Sequence, residues 1–482
     1  MAAIAGLTMC FAVASASPWA EVGDASLRSD ILVLASAGVI DNVTMQWPLP
    51  WTGILRRLSS SDALDDQPDY VREAARRVKE RGMAEVRTHR LNSGLTIDAA
   101  SEPALVRGFD ALGRGSFEGR ASVEALWDTT ALKLSLGGRT TGSGDRQALM
   151  LDDSYVAQRI GNAVITGGYR THWWGPGWIS ALSLSNNARP MPEIAISRLD
   201  TEPFESPYLS WIGPWQAEFF VGLLDGTRIA DNTAYVGFRL GFNPLPHLEI
   251  GLARTTEMCG SGHKCDPLRD YIDIRNDPKH TNDTNDQGNI DIRYSYAFSD
   301  FAVETYVQFM NEDTNPFQHS GTSHLYGISG WMPLWDGIGR ITMEYADSVA
   351  TYDLWGSGTM HGFSYNNWRY TDGMRYRGRT LGFGLDSDSR LLSLQASYQR
   401  NAGDSYRMTY HHAEISTPEN GAGNVVTGAP VIVNVLEARI DYPLNVDVGQ
   451  IHLSFAGRVQ DDRPRPDQGW LASAEASIRF AF

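Results

Sequence analysis

The chain has 482 residues and a formal net charge of −16 at pH 7, with 57 Asp and Glu against 41 Lys and Arg. That balance argues against nucleic acid as a partner, since phosphate binding needs a basic surface, although a local basic cluster can still meet an acidic sugar. No run of about 18 apolar residues follows the N-terminus, which excludes a spanning helix, while 47 Gly, 14 Trp and 19 Tyr suit an all-β chain with aromatic girdles.

Met1 to Ala16 is apolar and small and ends Ala14-Ser15-Ala16, which fits a signal peptide (1–16) cleaved before Ser17, although the usual basic n-region is missing and the first Arg is Arg28. Cys10 follows Met9 rather than a small residue, which argues against a lipid anchor. From Asp24 the pattern is helical: Asp24 caps, Leu27, Ile31 and Leu34 share a face, and Gly38 closes. After the Trp47-Pro-Leu-Pro-Trp51 corner, Thr52 is positioned to cap a short helix through Leu58. Pro68 to Arg81 reads as a third helix, with Val71, Ala74, Ala75 and Val78 inward and Gly82 behind them. Narrow apolar stripes among many charges suit water rather than lipid. Residues 17–85 are therefore expected to form a small α-helical bundle in the periplasm.

From residue 86 the period changes to two. Leu132, Leu134 and Leu136 alternate with Lys133 and Ser135, and Ile290, Ile292, Tyr294 and Tyr296 with Asp291, Arg293 and Ser295. The last stretch does the same: Trp470, Ala472, Ala474, Ala476, Ile478, Phe480 and Phe482 on one face, with mostly polar residues between them. Chains threaded into bacterial outer membranes often finish on such an aromatic. Roughly eighteen segments of this kind predict a transmembrane antiparallel β-barrel over 86–482 with a polar lumen. Short turns at Gly161-Asn162, Asn243 to His247, Ser299-Asp300 and Asn401 to Asp404 fall on the periplasmic side, and long links at 257–288, 311–322, 415–430 and 461–469 on the extracellular side. Asp386 to Arg390 reads as a short turn where a long one is required, so the register over 349–390 is the part least determined.

Four stretches carry residues with chemistry to offer. In His172-Trp173-Trp174-Gly-Pro-Gly-Trp178 the indoles of Trp173, Trp174 and Trp178 offer flat faces suited to sugars, or else plug the barrel or form its interface girdle. Asn186, Asn187 and Arg189 are donors for sugar hydroxyls or for loop backbone. Cys259 and Cys265 bracket a Gly-rich turn and read as a disulfide in an exported protein. A metal site with His263 is the rival, against the four ligands structural zinc requires. Asp283-Thr-Asn285-Asp-Gln-Gly288 resembles the start of a calcium loop, but the twelfth place is Tyr294 rather than Glu, so a solvated acidic loop is the plainer reading.

A fifth stretch interleaves cations with aromatics: Asn367-Trp368-Arg369-Tyr370, then Arg375-Tyr376-Arg377-Gly-Arg379. An arginine fork takes a uronate or pyruvyl carboxylate, and the same residues equally line a lumen or hold lipopolysaccharide phosphates. Trp368, Arg369, Arg375, Tyr376, Arg377 and Arg379 join the Trp loop as candidate polysaccharide contacts.

Asp24 to Ile40, the Trp47 to Trp51 corner, His172 to Trp178, Leu184 to Pro192, Leu209 to Trp215 and Arg375 to Arg390 together resemble the capsule assembly Wzi family of outer-membrane proteins. The resemblance implies an eighteen-stranded barrel, a periplasmic helical bundle, and a lectin-like role holding capsular polysaccharide at the cell surface, with exopolysaccharide the ligand in some relatives.

No Gly-x-Ser-x-Gly or His-Glu-x-x-His occurs, and His411-His412 point to opposite faces of one strand, so catalysis finds little support. Neither cofactor nor metal is expected. The expected partners are surface polysaccharide and outer-membrane lipid, for a monomer that touches the polysaccharide export machinery. The competing reading is a channel or porin for small solutes or oligosaccharides, which a soluble plug at the periplasmic mouth would obstruct.

Overall fold

Alternation decides which side of each strand meets hydrocarbon. In the computed structural model, which describes residues 17–59, 64–140, 148–272, 283–312, 321–417, 423–446, 449–464 and 469–482, Leu132, Leu134 and Leu136 are exposed while Ser135 between them is buried. Residues 1–16, where a signal peptide is expected, lie outside the described residues. Along Leu471–Ala481, Glu475 and Ser477 point inward while Ala472, Ala474 and Phe482 are exposed. An antiparallel ladder carries this pattern round a closed cylinder of eighteen strands, from Arg90–Ala100 to Leu471–Ala481. Leu149–Met150 and Tyr155–Ile160 both pair with Thr130–Arg139 and make one strand interrupted at Leu151 to Ser154. The first and last strands pair with Phe480 opposite Leu95, so the wall has no free edge.

Turn lengths sort by end. Gly161-Asn162, the Leu245 to Leu248 turn, the Phe298 to Phe301 turn and Asn401 to Asp404 lie at one end, where Tyr296, Phe298 and Phe301 stack as part of an aromatic girdle. Residues 199–214 are the long exception there, with Trp211 exposed. The opposite end carries the long links. Among them 352–389 is a single excursion between the strands Gly337–Thr351 and Arg390–Arg400. Asp386 to Arg390 is therefore no barrel turn: the excursion folds back on itself through a small ladder, Arg375–Tyr376 against Arg379–Thr380, and buries Asp386, Ser387, Asp388 and Ser389 completely.

Three helices precede the wall: α1 (Ala25–Ser36), α2 (Trp51–Leu58) and α3 (Asp69–Glu85). Asp24 caps α1 by accepting from the Leu27 N–H at 2.9 Å. The apolar stripe of α1 is wider than its spacing predicts, because every residue from Leu27 to Ser36 is buried. Trp51 rather than Thr52 opens α2, with Pro50 at the cap and Thr52 exposed. Gly82 does not end α3 but lies within it, four residues short of Val86, because a Cβ there would stand 2.8 Å from Trp51 Cε3. The helices do not stand apart from the cylinder: Ile31, Trp51 and Val71 share one apolar core with lumenal residues Trp178, Tyr306 and Trp331.

Candidate functional site

The Trp loop leaves the strand Ala163–Tyr169 and turns inward. Trp173 and Trp174 are fully buried and Trp178 is 4% exposed. The strands facing the lumen hold the loop with isolated carboxylates and amides. Glu344 accepts from the backbone N–H of Trp178 at 2.7 Å and of Ser180 at 2.6 Å, Glu304 accepts from Trp178 Nε1 at 2.9 Å, and Gln308 accepts from the Leu182 N–H at 2.8 Å. Gly175 sits at φ +141°, where a Cβ would strike Gln308 Nε2 at 2.7 Å. His172 lies between Glu193 at 2.9 Å and Glu218 at 3.4 Å. These three offer ligand atoms within 4.8 Å of one another, but His172 already bridges the two carboxylates and Arg170 stands 3.7 Å from Glu218, so the protein supplies its own cations.

The indoles therefore fill the lumen and present no open face to a sugar, which corrects the reading of Trp173, Trp174 and Trp178 as a stacking platform. The donors behind them are engaged in the same way. Asn186 Nδ2 donates to the Phe109 carbonyl at 2.8 Å, Asn187 Nδ2 to the Thr380 carbonyl at 3.0 Å, and Arg189 pairs with Asp152 at 2.6 Å. Each ties one loop to another, satisfying backbone that would otherwise be buried without partners.

The second aromatic and cationic stretch divides. Arg375 is buried, with its fork on Asp386 at 2.8 and 3.1 Å and further bonds to Asn366 Oδ1 and the Gly423 carbonyl, both at 2.8 Å. It staples three parts of the rim together. Arg377 pairs with Asp225 at 2.9 Å, and the Tyr376 hydroxyl donates to the same carboxylate. Trp368 is 76% exposed, and the Arg369 guanidinium lies 4.5 Å from its ring centroid. Asn367 Oδ1 accepts the Arg369 N–H at 2.8 Å, which sets the turn that lifts the indole outward.

Arg379 has no carboxylate within ion-pair distance among the described residues, only the Asn187 side chain and the Arg114 carbonyl, each at 3.4 Å. Burial lowers its pKa to about 10, helped by repulsion from Arg114 and opposed by Glu118. Arg107 is held well below the ordinary arginine value by burial and by the same two neighbouring cations. Arg107 and Arg114 belong to the link 101–116, more than 260 residues from Arg379 in sequence, so only the fold brings them to it. Trp368 and Arg369 give the same rim an exposed aromatic face beside a cation.

Cys259 and Cys265 form a disulfide, which leaves neither of these two thiols for a metal. His263 stacks on Tyr370 with centroids 4.0 Å apart and faces Asp283 at 3.1 Å. The calcium-like run is no loop: Thr284–Ala297 is a barrel strand, with Asn285 and Gln287 buried inward and Asp286 on the other face, 2.6 Å from Arg254. His411 and His412 diverge as predicted, to Ser393 and to Asn434.

A family model described as capsule assembly protein Wzi matches residues 86–468. The chain belongs to the capsule assembly Wzi family. An uncharacterized 55.8 kDa protein in the cps region of Klebsiella pneumoniae is 25% identical over 323 residues, 64% of this chain and 61% of that protein, so the chain spans about three fifths of that relative's length. Wzi of Escherichia coli, an outer-membrane protein involved in group 1 capsule assembly and a carbohydrate-binding β-barrel, superposes with a TM-score of 0.82 at 19% identity, over 96% of this chain and 99% of its own. OccD3 (OpdP) of Pseudomonas aeruginosa aligns over 82% of this chain and 92% of its own at 9% identity, with a TM-score of 0.47. Like Wzi of Escherichia coli, this member of the family is an outer-membrane β-barrel of eighteen antiparallel strands with a few N-terminal helices.

Proposed function

We propose that this chain holds an anionic surface polysaccharide, capsular or exopolysaccharide, at the rim formed by its long links, with that rim outside the cell and the helices in the periplasm. The observation that carries the reading is the exposed Trp368–Arg369 pair, on a rim where Arg379 has no carboxylate within ion-pair distance among the described residues. An indole face packs on the C–H face of a sugar, and a guanidinium takes its carboxylate. The carbohydrate binding described for Wzi of Escherichia coli points the same way. The channel reading loses support because α1 and the Trp loop occupy the lumen. Contact with the export machinery would fall to the helices and to the link 199–214, at the opposite end.

The deciding experiment scores polymer on cells against polymer in the medium, in a deletion strain complemented with the wild-type chain or with Trp368→Ala, Arg369→Ala or Arg379→Ala. Shedding by the variants, with the barrel assembled in the membrane, supports the proposal. Undiminished retention in all three removes the rim from it.

A further inference from the structure

A second cavity lies far from the rim. At the short-turn end the first turn of α1 and Arg81 of α3 face the inner wall of the strands from Gly337–Thr351 to Leu471–Ala481, and between them is a space of about 220 Å³. Three of its arginines and two of its carboxylates neutralise one another: Arg407 pairs with Asp110 at 2.6 Å, Arg439 with Asp441 at 2.8 Å, and Arg81 with Glu85, which lies outside the cavity. Two more arginines are left over. Arg340 is 5% exposed, and its Nε and Nη1 have no hydrogen-bond partner; its guanidinium rests 3.3 Å from the Trp178 ring centroid and donates only to Gln395, at 2.9 Å. Arg479 projects inward from the last strand and is in no ion pair among the described residues. Asp24 is the remaining carboxylate, and it is committed to the α1 cap.

A buried guanidinium without a carboxylate partner is costly unless an anion nearby offsets its charge. We propose that this cavity is a binding site for a single acidic sugar, a hexuronate unit, that enters from the short-turn end. The head of Arg479 supplies charge-assisted bonds to the carboxylate, and the positive charge of Arg340, in the wall behind and without a carboxylate partner among the described residues, favours an anion there. The hydroxyl-bearing Ser397, Ser405 and Ser454 supply partners for the ring hydroxyls. The volume is below the roughly 300 Å³ at which pockets for drug-sized ligands begin, which fits one monosaccharide unit and no longer oligomer. His452, with its side chain 40% exposed, stands at the open side of the cavity. This site shares none of the proposed sugar contacts of the rim and does not rest on the function proposed for it.

The test uses the full mature chain in detergent, titrated with sodium glucuronate, with glucose and with inorganic phosphate, and read by calorimetry and by thermal shift. The expected result is saturable glucuronate binding with a rise in melting temperature, no response to glucose at the same concentration, and a loss of at least about tenfold in affinity for Arg479→Gln, the weight of one charged hydrogen bond. Leu134→Ala, on the lipid-facing side of the wall, should bind glucuronate as the wild type does. Absence of saturation, equal response to glucose, equal affinity in Arg479→Gln, or phosphate binding as tightly as glucuronate would each overturn the assignment. Where Arg479→Gln fails to assemble, Ser397→Leu, which narrows the cavity without removing a charge, should weaken glucuronate binding, and affinity equal to that of the wild type would overturn the assignment.

Discussion

Arg28 on α1 donates from Nη2 to the carbonyl of Pro176, 148 residues along the chain, at 2.8 Å. The same guanidinium lies 4.4 Å from the Phe109 ring centroid and 4.5 Å from that of Trp178, so one buried cation joins the helix, the link 101–116 and the Trp loop. Arg28→Ala should cost about 2–4 kcal/mol by loss of a charged hydrogen bond and of desolvated cation–π contacts. No ladder residue changes, so the barrel should still resist unfolding on a cold SDS gel while the helices become accessible to protease. Protection equal to that of wild type would show that other contacts hold α1.

The filled lumen predicts an electrically quiet protein. Reconstituted in planar bilayers, the wild-type chain should show no steady open-channel current, and Arg28→Ala should show more frequent openings. Steady conductance from the wild type would favour the transport reading.

Gly82 faces Trp51 and Leu55 so closely that a methyl group there would lie 2.8 and 2.9 Å from their side chains. On an exposed helix, Gly→Ala gains up to about 1 kcal/mol, whereas crowding a packed core costs about 1–3 kcal/mol. Because Trp51 is fully buried and has little room to yield, Gly82→Ala should destabilise the packing of α2 on α3. Tryptophan fluorescence during urea titration reads the effect, and a rise in stability would refute it.

Glu85 accepts from Trp51 Nε1 at 2.7 Å and from Arg81 in a buried setting. Burial pushes its pKa up to about 7, against the opposing pull of Arg81. Since the folded value exceeds the ordinary 4.5, its contribution to helix docking is fully present below pH 4.5 and is lost as pH rises through about 7. Protease sensitivity of the helices should therefore increase across that window, and Glu85→Gln should flatten the profile.

Arg375 and Arg379 stand four residues apart and predict opposite phenotypes. Removing Arg375 strands Asp386 in a buried site, at a cost of about 3–5 kcal/mol, so Arg375→Ala should loosen the rim and expose it to surface proteolysis. Arg379→Ala removes a cation without a carboxylate partner, so it should reduce polymer retention with little change in proteolysis. Identical behaviour of the two variants would place Arg379 among the staples.

The wall was legible because lipid imposes period two on every crossing, and Leu132 to Leu136 or Ala472 to Phe482 record it directly. The contents of the wall were not. Trp173, Trp174 and Trp178 in a Gly- and Pro-rich loop look the same whether they greet a sugar or pack against Glu304 and Glu344, because their partners come from strands more than a hundred residues away. The available signal was on those strands: acids such as Glu304 and Glu344 at inward positions need buried donors, and the Trp loop provides them. Arg375 misled in the same way, since Asp386 was read as part of a turn. Arg107 and Arg114 left no local mark, because charge assembled from two distant links has no periodicity.

The seam where Phe480 meets Leu95 joins the two ends of one continuous wall around a lumen already occupied by α1 and the Trp loop. The ladder between the first and last strands therefore encloses a packed interior, and wall and filling brace one another across the whole circumference.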